Sequence, residues 1–260
     1  MGGARAQLAV QDPPYNVACF EESSVDEYVD WCRRWVGLTV DQLSADASAY
    51  FWVGADQRNS FQPLPDFVLL LREFPQLASR SYITLRNQRG YGTPKNWMAV
   101  RQELLYYTRG KPFFEVQYTD IPKTVRGYYK RVNGRTTENL ERGRSDTIRP
   151  GNVWVDIQQV FYRMQENVSC CYAQKPLKAL ERIVRASSRR EDLVIDFFAH
   201  SGSTLLACEI QGRPCFTMDV DPVYCEVTIR RLERYRELGL RGWQNGHPFE
   251  DELERPPKEP

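Results

Sequence analysis

The sequence predicts an α/β fold in which a mostly parallel sheet carries helices on both faces. Short apolar segments of strand length alternate along the chain with segments whose apolar residues recur at helical intervals. The 260 residues are 42% hydrophobic, which is sufficient for one large domain with a substantial core. The chain has no run of about eighteen apolar residues and no secretory signal. We therefore expect a cytoplasmic protein without a membrane partner.

The amino-terminal half predicts a strand, a helix and then further strands. The first strand covers residues 8–10 and ends before Pro13 and Pro14, which cannot continue a central strand. Ser24 and Glu27 have the spacing of a capping box, and a helical repeat of apolar residues follows them. Beyond this helix we expect strands at residues 49–53 and 81–85, with a helix at residues 66–74 between them.

The carboxyl-terminal half shows the clearest alternation. Pro176 fits the first position of a helix. The elements that follow are a strand at 193–198, a helix at 204–210, a strand at 214–218 and a helix at 222–238. We therefore predict a core formed by residues 1–112 and 151–240, a basic insertion at 113–150, and an acidic, mobile tail at 241–260.

A turn of small residues, Asp196-Phe-Phe-Ala-His-Ser-Gly-Ser-Thr204, joins a strand to a helix. In a doubly wound sheet such a turn lies at the carboxyl edge, where backbone N–H groups face a ligand. Gly202 is its only glycine, which argues against a dinucleotide and leaves open a ligand that approaches the backbone closely. Asp219 ends the next strand, where a carboxylate can accept both hydrogens of a ribose diol. A simple helix-capping loop is the alternative.

Asp12 ends the first strand as Asp196 ends a later one. The carboxyl edge of a parallel sheet brings such strand ends together, so we expect both carboxylates to line one crevice that can hold two ligands. Taken alone, the residues Asp12-Pro-Pro-Tyr15 would fit an ordinary turn equally well.

Four motifs support the crevice. They are DPPY at residues 12–15, QKP at 174–176, DFFAHSGST at 196–204 and FTMDVDPVY at 216–224. In this order they resemble the amino-directed DNA methyltransferases of the permuted β group, in which the catalytic motif precedes the motif that binds S-adenosylmethionine. The resemblance extends from about Val10 to Tyr235 and includes residues 89–97, Glu103 and residues 152–154. It implies a Rossmann-like, S-adenosylmethionine-dependent methyltransferase fold with an inserted target-recognition segment.

The resemblance implies methyl transfer to an exocyclic amino nitrogen, whose lone pair is delocalised into the base. Asp12 and the carbonyl of Pro13 can each accept one N–H of that amino group, and Pro13 and Pro14 make the acceptors rigid. The carboxylate also stabilises the positive charge that develops on the nitrogen. Tyr15 can stack on a base rotated out of the duplex, a contact of about 1–3 kcal/mol. The chemistry implies no metal.

The later motifs are expected to hold S-adenosylmethionine. The residues that we predict to contact it are Lys175, Pro176, Asp196, Phe198, His200, Ser201, Gly202, Ser203, Thr204 and Asp219. Two positions depart from the DPFxGSGT pattern of the family: Phe197 replaces a proline and His200 replaces a glycine. We expect His200 to be a loop residue and not a catalytic base.

The insertion is predicted to contact double-stranded DNA. Between Lys123 and Arg149 it has eight Lys or Arg residues against three Asp or Glu residues, with Tyr128 and Tyr129 among them. The predicted DNA-binding residues are Lys123, Arg126, Lys130, Arg131, Arg135, Arg142 and Arg144. A solvated basic face is the alternative for this segment.

The first hypothesis for function is therefore a site-specific DNA adenine-N6 methyltransferase. The resemblance favours adenine because Asp12, and not a serine, begins the catalytic motif. The alternatives are cytosine-N4 methylation, methylation of a protein glutamine, and a catalytically idle DNA-binding module with the same fold. The resemblance also leaves open a cognate restriction endonuclease and a homodimer.

Overall fold

The computed structural model describes residues 2–14, 24–54, 61–123, 129–138 and 145–253. Its strands are β1 (Ala6–Gln11), β2 (Leu43–Val53), β3 (Ala78–Thr93), β4 (Asn96–Arg109), β5 (Tyr129–Val132), β6 (Arg135–Glu138), β7 (Val153–Trp154), β8 (Val194–Asp196) and β9 (Cys215–Thr217). Its helices are α1 (Val25–Gln42), α2 (Leu64–Leu70), α3 (Leu177–Ser187), α4 (Ser203–Gln211), α5 (Pro222–Leu238) and α6 (Glu250–Leu253). Within these ranges, no helix combines the length and the apolar character needed to cross a bilayer.

Seven strands form one sheet in the order β7-β3-β4-β2-β1-β8-β9. Strands β2, β1, β8 and β9 are parallel, β7 is parallel to β3, and β4 runs antiparallel to its neighbours β2 and β3. One reversed strand in an otherwise parallel sheet confirms the predicted Rossmann-like architecture.

Each face of the sheet has its own core, because successive residues of a strand point to opposite faces. On one face, Ala9 and Phe51 belong to a buried cluster with α1 and α2. On the other face, Val10 and Trp52 belong to a cluster with α3 and α4. The helices therefore cover both faces, and the ends of the central strands remain available for a site.

Most predicted elements are present with shifted ends. The strand predicted at 49–53 begins at Leu43, and the helix predicted at 66–74 is α2 followed by a 3₁₀ turn, Leu71–Glu73. The capping box is formed, since Glu27 N–H donates to Ser24 Oγ at 3.2 Å and Ser24 N–H donates to Glu27 Oε2 at 2.8 Å. Helix α3 begins at Leu177, directly after Pro176, and α5 has the predicted bounds.

The hairpin formed by β3 and β4 is the largest element that the sequence analysis missed. Only residues 81–85 of β3 were predicted, and β4 was not predicted at all. Arg86 lies opposite Arg101 in this hairpin, so polar residues interrupt the apolar alternation on which strand prediction depends. Trp97 follows the hairpin turn with a side chain that is 93% exposed, although its size would suit the core.

The inserted segment forms a local structure beside the main sheet. Strands β5 and β6 pair only with each other within the described residues. A bridge between Pro122 and Thr147, and a 2.8 Å hydrogen bond from Thr119 N–H to the Ile148 carbonyl, hold the two ends of the segment together. These contacts agree with an insertion at residues 113–150, whose boundaries stay a prediction.

The expectation of a mobile tail from residue 241 onward is wrong for the described part of that segment. The N–H of Trp243 donates to the Asn167 carbonyl at 2.8 Å, and Phe249 packs against a buried cluster that includes Val168. Glu252 accepts from Arg230 at 2.7 Å. The abundance of acidic residues concealed these aromatic anchors, and residues 254–260 lie outside the described residues.

Candidate active site

One pocket joins the two strand ends that the sequence singled out. Strands β1 and β8 are parallel neighbours, with Ala9 opposite Ile195, so Asp12 and the loop after Asp196 leave the sheet at the same edge. The pocket is lined by Asp12, Trp52, Lys175, Leu180, Asp196, Phe198, Ala199, His200, Ser201, Ser203 and Thr204. The early carboxylate and the late loop therefore face a common space.

Gln11 ties the two strand ends together just before Asp12. Its side chain is fully buried, and its Oε1 accepts a hydrogen bond from Phe197 N–H at 3.0 Å. Its Nε2 is also buried and has no hydrogen-bond partner among the described residues. A buried amide with an unused donor beside this pocket is compatible with a polar ligand group nearby.

Lys175 contacts Asp12 directly. Its Nζ lies 2.8 Å from Asp12 Oδ1 and 5.3 Å from the centroid of the Trp52 ring. The lysine side chain is 5% exposed and that of Asp12 is 20% exposed. The QKP segment thus places its ammonium group on the carboxylate that ends β1, whereas the predicted contact of Lys175 with a cofactor stays a prediction.

Asp196 has an unusual protonation equilibrium. Its Oδ1 accepts from Phe198 N–H at 2.9 Å, and its carboxyl group also interacts with the Thr204 hydroxyl. Burial raises the pKa of Asp196 to about 7; the neighbouring carboxylates of Asp12 and Asp219 add to the rise and the two hydrogen bonds oppose it. The carboxyl group thus organises its own loop and is partly protonated near neutral pH.

We expect Asp196→Asn to change the pH dependence of stability. Because the pKa of Asp196 is raised to about 7, the folded chain keeps a proton that the unfolded chain loses above about pH 4. The contribution of this group to the free energy of unfolding therefore falls between about pH 4 and 7. The neutral amide should gain on the order of 1–3 kcal/mol over the wild type at pH 8 and little at pH 5. Urea unfolding at both pH values measures this, and an equal effect at both would contradict it.

The carboxylate of Asp219 joins the loop after β8 to the segment that leads into α5. One oxygen accepts from His200 N–H at 2.8 Å and the other from Asp221 N–H at 3.0 Å. His200 has a φ of +46°, and its ring lies edge-on to Tyr224 with centroids 4.8 Å apart. Burial lowers the pKa of His200, so its imidazole is neutral near pH 7. These features favour a positioning role for His200 in the loop.

Gly202 is required by both conformation and space. Its φ is +70°, and a Cβ atom there would lie 2.9 Å from Thr228 Cγ2 and 3.1 Å from Thr228 Cα in α5. The glycine therefore lets the loop approach α5 closely. Gly202 is also the N-cap residue of α4, which begins at Ser203. As a glycine it has no side chain that could cap the helix.

Gly202→Ala is expected to destabilise the chain by about 2–4 kcal/mol, because it combines left-handed backbone strain with overlap against Thr228. Gly239→Ala is the matched control: Gly239 also has a φ of +70°, but no atom of the described residues lies within 4 Å of the position that a Cβ would take. The control should cost only about 1 kcal/mol. Thermal unfolding of both variants measures the difference, and equal losses would remove the steric role of Gly202.

Arg231 supports from behind the loop at residues 196–204, which we call the cofactor loop after its predicted ligand. This arginine was not predicted from the sequence. Its side chain is fully buried and donates at 2.8 Å to the Ser201 carbonyl, the Ser203 hydroxyl and the Arg241 carbonyl. It also donates to the Glu166 carbonyl at 3.1 Å. Burial lowers the pKa of Arg231 to about 10, which leaves it charged at pH 7. In the sequence it is one of several arginines on α5, and nothing local marks it as buried.

Some predicted site residues fall outside the described part of the chain. They are Tyr15, Arg126, Arg142 and Arg144, and the side chain of Lys130 in β5 is likewise not described. Arg131 and Arg135 are exposed on the β5–β6 hairpin. Lys123 donates to the Ser145 carbonyl at the base of the insertion. Pro13 is buried and Pro14 is half-buried beside Asp12.

A protein-family model described as DNA methylase, for N6- and N4-directed methyltransferases, matches residues 6–230. The chain belongs to the N6/N4 DNA methylase family. The match spans the turn at Asp12, the insertion and the loop at 196–204. Membership confirms the resemblance seen in the four motifs. This methylase is therefore a DNA methyltransferase that uses S-adenosylmethionine as methyl donor.

Individual relatives agree with the family match. The type II methyltransferase M1.MboII of Moraxella bovis is 27% identical over 234 residues, which cover 84% of this chain and 85% of the relative. The DNA adenine methyltransferase YhdJ of Escherichia coli is 25% identical over 231 residues, which cover 87% and 76%. The solved M1.HpyAVI–SAM complex has a TM-score of 0.55 at 14% identity and covers 89% of the methylase and 90% of that chain. This last likeness shows the fold.

Proposed function

We propose that this methylase transfers a methyl group to the N6 amino group of adenine in double-stranded DNA, with Asp12 as the acceptor that orients the nitrogen. The observation that carries the proposal is the common pocket of Asp12 and the loop at 196–204. The target amine can enter on the side of Asp12 while the methyl donor is held by the loop. Both reactants then meet in one space.

The chemistry that we assign to the first motif is the one that the family resemblance implies. Asp12 Oδ and the Pro13 carbonyl each accept one N–H of the amino group, so the nitrogen lone pair points away from them and towards the methyl group. Buried Pro13 keeps its carbonyl fixed. The Asp12 carboxylate stabilises the positive charge on nitrogen until a proton leaves to solvent. Tyr15 is assigned to stacking on the rotated base.

The residues of the later motifs fit S-adenosylmethionine, which supplies an activated methyl group when bound. Asp219 follows the end of β9, where a carboxylate would accept both hydrogens of a ribose diol. The next residue, Val220, is fully exposed and offers an apolar surface for an adenine ring. Ser203 and Thr204 begin α4, whose amino terminus attracts an anionic group. Phe198 packs against Trp31 and Trp35 of α1, which fixes the loop from the other side.

We assign the basic insertion to contact with the DNA duplex. Rotation of the target base out of the stack costs a few kcal/mol, which the contacts between the insertion and DNA must offset. Exposed Arg131 and Arg135 are the described candidates for phosphate contact. The type II naming of M1.MboII makes a cognate restriction endonuclease a reasonable partner to test. We also propose that the methylase forms a homodimer, and light scattering of the purified protein measures the molar mass that tests this.

Modification-sensitive sequencing of DNA from cells that express the chain tests this function. The expected result is N6-methyladenine at one recurrent short sequence. N4-methylcytosine at a recurrent sequence would replace adenine with cytosine as the target. Tight DNA binding without either mark, confirmed with the purified protein and labelled cofactor, would favour the idle DNA-binding module.

A further inference from the structure

We propose that Lys175 masks Asp12 in the cofactor-free methylase and turns to the carboxylate of the cofactor when the cofactor binds. Base capture then depends on prior occupation of the cofactor site. The inference rests on the proposed function, because it takes Asp12 as the acceptor of the target amino group.

The acceptor that the reaction needs is already engaged in this structure. Lys175 Nζ lies at hydrogen-bond distance, 2.8 Å, from Asp12 Oδ1. An ammonium group donates more strongly to a carboxylate than the neutral amino group of a base does. The side chain of Lys175 is almost completely buried and that of Asp12 is 20% exposed, so water screens this pair much less than an exposed one. A base that enters the pocket therefore competes poorly for this oxygen.

The ion pair also opposes the chemistry. Asp12 assists transfer because its negative charge stabilises the positive charge that develops on the amino nitrogen. A second positive charge 2.8 Å from the same carboxylate cancels much of that field. The ammonium group must therefore move away from Asp12 before the carboxylate can act at full strength.

The same pocket offers Lys175 a second place to bind. Lys175 lines it together with Ser201, Ser203 and Thr204, at the start of α4 that we assign to an anionic group of the cofactor. Of the described residues that line the pocket, Lys175 and His200 are the basic ones, and burial keeps His200 neutral near pH 7. Beside the amino terminus of α4, Lys175 is therefore the charged side chain of the described lining that can pair with an incoming carboxylate.

Trp52 makes such a movement possible for a buried charge. The ammonium group lies 5.3 Å from the centroid of the indole ring, within the range of a cation–π interaction. This attraction does not depend on Asp12. The flexible four-carbon stem of a lysine lets Nζ shift between acceptors while it stays beside the ring.

The test measures binding of S-adenosylhomocysteine by isothermal titration calorimetry, since this reaction product keeps the carboxylate and lacks the sulfonium charge that Asp12 would attract directly. Asp12→Asn should lower its dissociation constant about three- to tenfold, because Lys175 is released. Lys175→Met should raise the constant by a similar factor. When Asp12→Asn is added to Lys175→Met, the dissociation constant should not fall below that of Lys175→Met alone, because Asp12 acts on cofactor binding only through Lys175.

Two controls separate this mechanism from general effects. S-adenosyl-3-thiopropylamine keeps the ammonium group and lacks the carboxylate, so its affinity should not respond to Asp12→Asn. Lys178→Met removes a half-exposed lysine in the first turn of α3 that pairs with Asp120, and it should leave binding unchanged. Thermal unfolding of each variant establishes that it is folded at the temperature of the titration.

An unchanged or higher dissociation constant for Asp12→Asn overturns the masking proposal, and so does a gain that persists with Lys175→Met or with the analogue that lacks the carboxylate. Labelled methyl transfer by the wild type distinguishes this failure from failure of the proposed function. Transfer without the expected binding pattern removes only the masking role. The expected binding pattern without transfer removes the proposed reaction and leaves the exchange of Lys175 between its partners.

Discussion

Asp12→Ala is expected to reduce methyl transfer to DNA by at least about 10²–10³-fold, while S-adenosylhomocysteine binds at least as tightly as it does to the wild type. The variant removes both one acceptor for the target amino group and the charge that stabilises the transition state. The Pro13 carbonyl alone cannot hold both N–H groups. Asp12→Asn, which keeps an acceptor oxygen without the charge, should fall between the wild type and the alanine variant. Labelled transfer under single-turnover conditions measures each rate.

The control for Asp12→Ala concerns Lys175, which loses its ion-pair partner in this variant. Lys175 is 5% exposed, so loss of its partner leaves a buried charge that can lower stability on its own. The double variant with Lys175→Met removes that charge and should recover stability without recovering transfer. Turnover close to that of the wild type in a folded Asp12→Ala variant would exclude Asp12 from the reaction.

The sequence predicted the two ends of the site because their signals are local. Pro13 and Pro14 end a strand, and the small residues around Gly202 end another before a helix begins. Parallel pairing of β1 with β8 then brings these ends to one edge, which is a general property of the fold class. Fold and pocket could therefore be predicted without knowledge of any contact between side chains.

The partner of Lys175 could not be predicted in the same way. The residue is brought to Asp12 because α3 packs on the face of the sheet that carries Trp52, and no residue near Lys175 in the sequence reports that packing. The sequence suggested a contact of Lys175 with the cofactor only through the family pattern. The ion pair is a tertiary consequence of helix placement.

Arg231 was missed for a related physical reason. Helix α5 also contains Arg230 and Arg234, and a charged residue on a helix is usually solvated. Burial of one of them depends on carbonyl groups from distant segments, here those of Ser201 and Glu166. The hairpin β3–β4 and the packed segment after Arg241 were missed likewise, because their partners are remote in the sequence.

Arg231→Met is expected to lower the free energy of unfolding by about 3–5 kcal/mol and to weaken binding of S-adenosylhomocysteine. The loss leaves the Ser201, Glu166 and Arg241 carbonyls without their buried donor. Stability and affinity should fall together, because Arg231 holds the cofactor loop against the segment that leads to α3. In that segment Glu166 Oε2 accepts from Leu177 N–H at 2.7 Å and thereby caps the helix.

Arg230→Met on the same helix is the matched control. Arg230 pairs with Glu226 and Glu252 near the surface, and such pairs contribute about 0–1 kcal/mol. Urea unfolding and calorimetric titration of both variants separate the two cases. Loss of stability without loss of affinity for Arg231→Met would assign this arginine to the core alone. Loss of both, with neither in Arg230→Met, would establish that one buried guanidinium fixes the cofactor loop and the start of α3 as a single unit.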